Sequence, residues 1–205
     1  KALREIRRDF ELAVASANDR QAEDGVNPYK LRGLGDWIDS AGPPDVPAAY
    51  RTPAASILSA TVTESTLNNL LGSIFAETGE MGNLTLVANV ALRKVIANFT
   101  RAEGTTTSKA YNVNEDATSR KITLSVSLFD TDFGVIKLIN GNPNCMPNAT
   151  TNVGYVLDPK YLGVASLLPL ESVTLENQGA GERGFVKMAA TLVCKSPQAH
   201  GKIAY

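Results

Sequence analysis

The run with the most familiar chemistry is a glycine-rich segment near the C-terminus, Gly179-Ala180-Gly181-Glu182-Arg183-Gly184. Its letters fit the G-x-G-x-x-G fingerprint of dinucleotide-binding proteins. In those proteins a strand precedes the glycines and a helix follows, so that the helix N-terminus meets the pyrophosphate. Here the residues after the glycines alternate as in a β-strand. The run therefore indicates a loop between two strands and no cofactor.

Paired carboxylates are a second candidate, since Asp130 and Asp132 could do acid–base work or hold a divalent metal ion. Both residues come just before Gly134, in a segment typical of a turn. Aspartate is favoured there because its side chain hydrogen-bonds the neighbouring backbone. We interpret the pair as turn residues.

A nucleophilic pair could form between the only histidine, His200, and Cys194 or Ser196. Cys194 belongs to the apolar side of a predicted strand, which favours an inert core thiol. One histidine and two distant cysteines, Cys145 and Cys194, also lack the spacing of zinc ligands. The two thiols could pair, but they are no disulfide framework, and a reducing compartment is favoured. We predict no catalytic, cofactor-binding or metal-binding residue.

Two surface motifs have plain interpretations. The glycosylation acceptor pattern begins at Asn83, Asn98 and Asn148, and without a signal peptide these are expected to be chance matches. A basic cluster near the N-terminus is interleaved with acidic residues, which favours a solvated or subunit-contacting surface over a nucleic-acid site. Its basic members are Arg4, Arg7 and Arg8.

Composition is that of a folded protein with one large domain or two small ones. The chain has 205 residues, 43% of them hydrophobic and 20% charged, and a net charge of −1. This charge gives no general attraction to nucleic acid or to an anionic membrane, and no apolar run reaches the roughly 18 residues of a membrane-spanning helix. Because the chain starts at Lys1, inside a helical pattern, we expect a fragment or a processed product.

Three helices are predicted from apolar residues repeated at intervals of three and four. The first covers residues 1 to about 18. The second begins near Thr63, where Thr61 and Glu64 have capping-box spacing, and ends at Gly79. The third runs from about residue 89 to Phe99.

Between these helices, residues 21–54 are rich in proline and glycine and predict an irregular connector, with Trp37 and Ile38 as its anchors to a core. Residues 101–120 are polar and predict a surface loop.

Strands dominate the second half. Residues 84–88 predict a buried strand, and residues 122–128 and 135–139 predict a hairpin around the turn 130–134. Phe185 to Lys195 alternate strictly, which predicts one half-buried strand that spans roughly 36 Å. Its apolar side consists of Val186, Met188, Ala190, Leu192 and Cys194. Partly segregated helices and strands indicate an α+β fold.

Five segments in this order resemble the major capsid proteins of tailed bacteriophages and prophages that have the Hong Kong 97 fold. The first helix resembles the spine helix of that family. The other segments are Leu31-Arg32-Gly33-Leu34-Gly35-Asp36-Trp37-Ile38, Asp132-Phe133-Gly134-Val135-Ile136-Lys137, Leu157-Asp158-Pro159-Lys160-Tyr161 and Ala199-His200-Gly201-Lys202-Ile203.

The resemblance implies a non-enzymatic structural protein of the virion capsid, assembled in the bacterial cytoplasm. Its subunits would form hexamers and pentamers of an icosahedral shell around non-specifically held DNA, with scaffold, portal and decoration proteins as possible partners and no membrane. It implies a peripheral domain from residues 1–54 and 169–198, and an axial domain from residues 55–168 and 199–205.

Family members carry an N-terminal arm and an extended loop before the spine helix. Neither is present in this sequence, so we expect these 205 residues to assemble poorly alone. Two alternatives stay open: an encapsulin-like nanocompartment shell protein of the same fold, and a small α+β enzyme or ligand-binding domain. The latter would need a pocket that joins Asp130, Asp132 and His200.

Overall fold

Helices and strands are segregated in the computed structural model, which describes residues 2–59, 61–80, 82–99, 128–146, 151–176, 179, 181 and 183–204. The predicted α+β class is confirmed. The α-helices are α1 (Ala2–Ala15), α2 (Leu34–Trp37), α3 (Glu64–Thr78) and α4 (Val90–Phe99). The strands are β1 (Ile57–Leu58), β2 (Thr85–Ala88), β3 (Leu128–Thr131), β4 (Gly134–Asn140), β5 (Val153–Leu157), β6 (Leu162–Leu175), β7 (Arg183–Cys194) and β8 (Gly201–Ala204).

Six of these strands form one mixed sheet in the order β1-β8-β5-β2-β4-β3. The pairs β1–β8 and β2–β4 are parallel, and the other pairs are antiparallel. Helices α3 and α4 cover the sheet with their apolar stripes, because a helix with one apolar face must bury it against another element. The shared core includes Leu67, Leu70, Leu71, Ile74, Leu86, Leu92, Ile96, Ile136, Val156 and Ile203.

Helix α3 begins and ends at residues whose chemistry explains the boundary. The Thr63 hydroxyl accepts the backbone N–H of Thr66, and the Thr66 hydroxyl accepts that of Thr63. The capping box therefore begins at Thr63, directly before the first helical residue, and the predicted pair of Thr61 with Glu64 is wrong. Gly79 ends the helix in the left-handed conformation, with φ of 70°, as predicted.

The hairpin around Asp132 is tighter than predicted. Asp130 and Thr131 belong to β3, so that only Asp132 and Phe133 connect it to β4. The predicted five-residue turn is therefore wrong, because backbone pairing extends to Thr131 and Gly134. The predicted strand residues 122–127 and the predicted loop 101–120 lie outside the described residues.

Strands β6 and β7 form a separate two-stranded antiparallel ribbon. They have 14 and 12 residues, and the predicted long strand is confirmed with its start two residues earlier. The predicted apolar side is partly buried at Val186, Met188, Ala190 and Cys194 and fully buried at Leu192 alone, so the prediction of a half-buried strand is confirmed in part. No other strand among the described residues pairs with the ribbon, so its apolar side is only partly covered.

Candidate interaction surface

The glycine-rich segment lies where the ribbon reverses direction. Gly179 and Gly181 fall between β6 and β7, and Gly179 adopts φ of 141°, a conformation that favours glycine. The element after the segment is β7, not a helix. The arrangement therefore lacks the helix N-terminus that holds a pyrophosphate, which agrees with the interpretation as a strand-to-strand loop.

The predicted acidic and histidine candidates are far apart in the sheet order. Asp132 accepts a hydrogen bond from Asn68 Nδ2 at 2.8 Å, at the hairpin that forms one edge of the sheet. His200 directly precedes β8, which lies next to the opposite edge. Among the described residues, no group of three or more histidine, cysteine, aspartate or glutamate side chains could hold a metal ion.

His200 is a structural residue of the core. It has no exposed surface, and its Nδ1 atom accepts the backbone N–H of Asp158 at 3.2 Å. Burial lowers the pKa of His200 from 6.5 to about 4, so the ring is neutral at pH 7 and carries its proton on Nε2. Burial likewise raises the pKa of Cys194 to about 11. A neutral thiol and a buried imidazole with an occupied Nδ1 do not make a nucleophilic pair.

Substitution of His200 by asparagine is expected to make stability less sensitive to acid. The asparagine Oδ1 atom can accept the Asp158 amide but does not titrate. In the natural protein the unfolded state binds more protons between the folded pKa of about 4 and the unfolded value of 6.5. The contribution of His200 to the free energy of unfolding is therefore fully present above this pH window. It falls by on the order of 3 kcal/mol as the pH decreases through the window.

Urea unfolding at about pH 7 and about pH 4.5 measures this difference. We expect the natural protein to lose more stability between the two conditions than H200N, because other carboxyl groups titrate equally in both proteins. Equal losses in the two proteins would refute the assignment of the effect to His200.

Arg32 is the centre of an ion cluster that sequence reasoning missed. Its guanidinium lies 2.7 Å from Asp19, 3.0 Å from Asp36 and 3.4 Å from Asp45. The Arg32 side chain is only 6% exposed, and it stacks over the Trp37 ring at 5.1 Å. We call these four charged residues the Arg32 clamp. It joins the chain after α1 to α2 and to the second half of the connector.

The protonation behaviour of the clamp follows from its geometry. The hydrogen bond from Arg32 lowers the pKa of the Asp19 carboxyl. Burial, with the nearby charge of Asp19, raises the pKa of Asp36. A second link reaches the sheet, because Lys202 Nζ in β8 lies 3.2 Å from Asp39 and donates to the Gly35 carbonyl at 2.9 Å. The connector is thus attached to the core by charges, as well as by the predicted anchors Trp37 and Ile38.

Helix α1 is held at its C-terminal end by backbone groups of the connector. Its last carbonyl groups have no partner within the helix. The Tyr155 hydroxyl donates to Ala15 O of the last helical residue at 3.1 Å. Directly after the helix, the backbone N–H groups of Gly35 and Gly33 donate to Ser16 O at 3.0 Å and Asn18 O at 2.9 Å. The helix therefore ends at residue 15, and the predicted helix, which extends to about residue 18, is too long.

Two elements expose much of their surface. Helix α1 contains no buried residue, although Val14 packs partly against a second core cluster. The ribbon exposes apolar side chains that a solvated strand would not need, since large exposed apolar patches mark interaction sites. Its exposed large side chains are Val164, Leu167, Leu168, Leu175 and Phe185. The strongest candidate site of this protein is therefore a contact surface and not a pocket for chemistry.

Within the described residues, no helix is both long enough and apolar enough to cross a membrane. A protein-family model described as SU10 major capsid protein matches residues 1–205, which is the whole sequence. No curated protein matches the chain.

Proposed function

The chain belongs to the SU10 major capsid protein family, and from this premise we infer that its subunits form the hexamers and pentamers of an icosahedral shell around DNA. It is a structural head protein of the phage virion capsid, and it is not an enzyme. The observation that carries the proposal is the match of the family model over residues 1–205. The resemblance to tailed-phage capsid proteins is confirmed by this match.

The proposed architecture within the subunit is the Hong Kong 97 fold. The peripheral domain would consist of residues 1–54 and 169–198, and the axial domain of residues 55–168 and 199–205. Two observations support this division. The mixed sheet and helices α3 and α4 share one core cluster. Helix α1, the connector and the root of the ribbon meet at a second cluster, which also includes Tyr155 of β5.

Assembly would use several modest contacts at once. The proposed contact surfaces are the outside of α1, the connector 21–54 and the segment 101–120, the last of which lies outside the described residues. The absence of buried residues in α1 supports the first of these. Many weak interfaces, each repeated by symmetry, sum to a stable closed shell.

The remaining partners follow from the same proposal. Major capsid proteins self-assemble, and scaffold, portal and decoration proteins are the further partners expected. A net charge of −1 suits an inner wall that faces packaged DNA without reading its sequence. The family match favours a phage head over a nanocompartment of the same fold, and genomic neighbours would separate the two: portal and terminase genes or a cargo enzyme.

Electron microscopy of the natural gene product that carries this sequence tests the proposal. Purified at high concentration, it is expected to form closed shells of uniform diameter. A protein that stays monomeric at every concentration would contradict assembly, and open sheets or tubes would contradict the closed icosahedral shell.

A further inference from the structure

The β6–β7 ribbon is joined to the mixed sheet by two short crossings of the chain. The first crossing, residues 158–161, leads from β5 into β6, and the second, residues 195–200, leads from β7 into β8. Each crossing contains a short 3-10 helix that begins with proline, Pro159–Tyr161 in the first and Pro197–Ala199 in the second. We call the two crossings together the ribbon root. Any movement of the ribbon against the sheet therefore has to be taken up by this root.

Hydrogen bonds tie the two crossings to each other. The backbone N–H of Asp158 donates to His200 Nδ1 at 3.2 Å, and the backbone N–H of Lys195 donates to the Tyr161 carbonyl at 2.9 Å. The bond from Lys195 joins two backbone groups, which do not titrate. The bond from Asp158 ends on an imidazole, the side chain whose charge changes near neutral pH. His200 therefore makes this attachment sensitive to acid.

A second proton would remove the function of the His200 ring in the root. The neutral ring accepts the Asp158 amide at Nδ1, but a charged ring carries N–H groups on both nitrogens. Two donors would then face each other, and the hydrogen bond between the crossings would be lost. The ring has no exposed surface, and within the part of the chain that the structure describes its Nε2 atom has no hydrogen-bond partner. A charge buried in this way is costly, and opening the root to water removes the cost.

The elements packed against the second crossing present groups that do not titrate. Helix α3 packs the apolar side chains of Leu70 and Ile74 beside Gly201, the residue directly after the histidine. The segment before β1 contributes the hydroxyl of Thr52, which donates to a carbonyl group of the second crossing at 2.9 Å. These contacts hold the second crossing to the rest of the subunit at any pH.

Charged groups near the root are engaged with partners of their own. The Asp158 carboxylate acts on the ring and raises the pKa of His200, but burial lowers it by more. The same carboxylate accepts the backbone N–H of Lys160 at 2.9 Å. The side chains of Lys160 and Glu80 pair with each other at 2.8 Å on the surface, and Lys202 in β8 donates to a carbonyl group of the connector. The ring therefore stays neutral at pH 7.

We propose that the ribbon root is a pH-sensitive hinge, in which protonation of His200 releases the first crossing from the second and frees the ribbon to rotate against the sheet. The inference goes beyond the proposed function, because it concerns a movement within one subunit and requires no assembly. The core cluster of the sheet, α3 and α4 consists of apolar side chains that do not titrate. The root is therefore expected to open in acid while that core remains folded.

Hydrogen exchange of the 205-residue chain between about pH 7 and about pH 4.5 measures this opening. The open root binds a proton with the ordinary affinity of histidine, whereas the closed root binds it with a pKa of about 4. After correction for intrinsic exchange rates, the amides of Asp158 and Lys195 are expected to open on the order of 50-fold more often at the lower pH. Within the window the increase is about tenfold per pH unit, the slope for one proton. The amides of α3 are expected to keep their protection.

H200N is the matched control, because an asparagine Oδ1 atom can accept the Asp158 amide at every pH. We expect its root amides to show no acid-dependent opening. If this variant does not fold, the slope measured on the natural sequence decides the question by itself, with α3 as the internal reference.

Three results would overturn the hinge. They are root amides whose protection is unchanged at about pH 4.5, an H200N variant that opens in acid as readily as the natural sequence, and α3 amides that lose protection together with the root, which would mean that acid unfolds the whole subunit. Because the measurement requires no assembly, a result against the hinge leaves the proposed shell intact. A protein that forms no shells would likewise leave the hinge intact.

Discussion

Replacement of Gly33 by alanine is expected to detach α1 from the connector and to lower the free energy of unfolding. A Cβ atom at this position would lie 2.0 Å from the Ser16 carbonyl oxygen and 2.6 Å from its carbon. Both are backbone atoms, so no side chain can move aside. The clash displaces the Ser16 carbonyl group directly after α1, and overpacking of this kind costs roughly 1–3 kcal/mol or more. The hydrogen bond from Gly33 N to Asn18 O is lost as well.

Urea unfolding and hydrogen exchange of the α1 amides measure the two parts of this prediction. The matched control is G163A, because a Cβ atom at Gly163 would meet no atom within 4 Å and its backbone conformation suits alanine. We expect that control to retain natural stability. If G33A kept both its unfolding midpoint and the protection of α1, the close approach of the connector to α1 would be wrong.

Replacement of Arg32 by alanine is the second substitution with a large expected effect. It leaves three carboxylates, Asp19, Asp36 and Asp45, without their shared cation. Removal of one partner from a buried ion pair costs about 3–5 kcal/mol. Because Asp19 and Asp45 are 56% and 47% exposed, solvent offsets part of this, and we expect a loss of roughly 2–4 kcal/mol. The pKa of Asp36, already raised by burial and by Asp19, should rise further.

The matched control for this substitution is R20A. Arg20 pairs with Asp45 at 3.2 Å, but its side chain is 67% exposed, so the loss is expected to stay below about 1 kcal/mol. R32K should fall between the two, since lysine keeps the charge without the planar fork that reaches several carboxylates. Thermal or urea unfolding at neutral pH ranks the variants, and equal effects of R32A and R20A would show that the clamp is not a unit.

Local sequence patterns predict an element well where the contacts that stabilise it lie between residues close in sequence. The apolar stripe of α3, its end at Gly79, and the strand at residues 85–88 all follow from spacing within one turn or one pleat. Even there, the spacing predicts the wrong threonine as the cap of α3, because Thr61 and Thr63 are two residues apart and each has a polar residue three positions later.

Long-range contacts set the limit of that reasoning. The Arg32 clamp joins Arg32 to Asp19 and Asp45, each 13 positions away, and nothing in the local sequence marks these two aspartates as its partners. The burial of the predicted long strand is confirmed only in part for a related reason. Alternation shows that one side of a strand is apolar, but whether another layer covers that side depends on distant elements or on other subunits.

The interpretation of the candidates for chemistry depends more on their structural context than on their residue letters. A strand pattern follows the fingerprint at Gly179, which argues against a dinucleotide site, and β7 does begin at Arg183. By residue type His200 could partner a nucleophile, whereas in the structure its Nδ1 atom accepts one backbone hydrogen bond inside the core. A signal for that role existed in the apolar and small residues around His200, which favour a buried neutral ring. The division into peripheral and axial domains stays a prediction.

The position of the ribbon in the chain lets a small rotation at its root produce a large movement at its tip. It leaves the sheet after β5 and returns at β8, and these two strands pair with each other, so both ends of the ribbon are rooted in adjacent strands. With 14 residues in β6, its reach is about 46 Å at roughly 3.3 Å per residue. A rotation of about 5° at the root would then move the tip by about 4 Å over that length. Identical subunits could thus adjust to sites of different curvature by a bend too small to disturb the core.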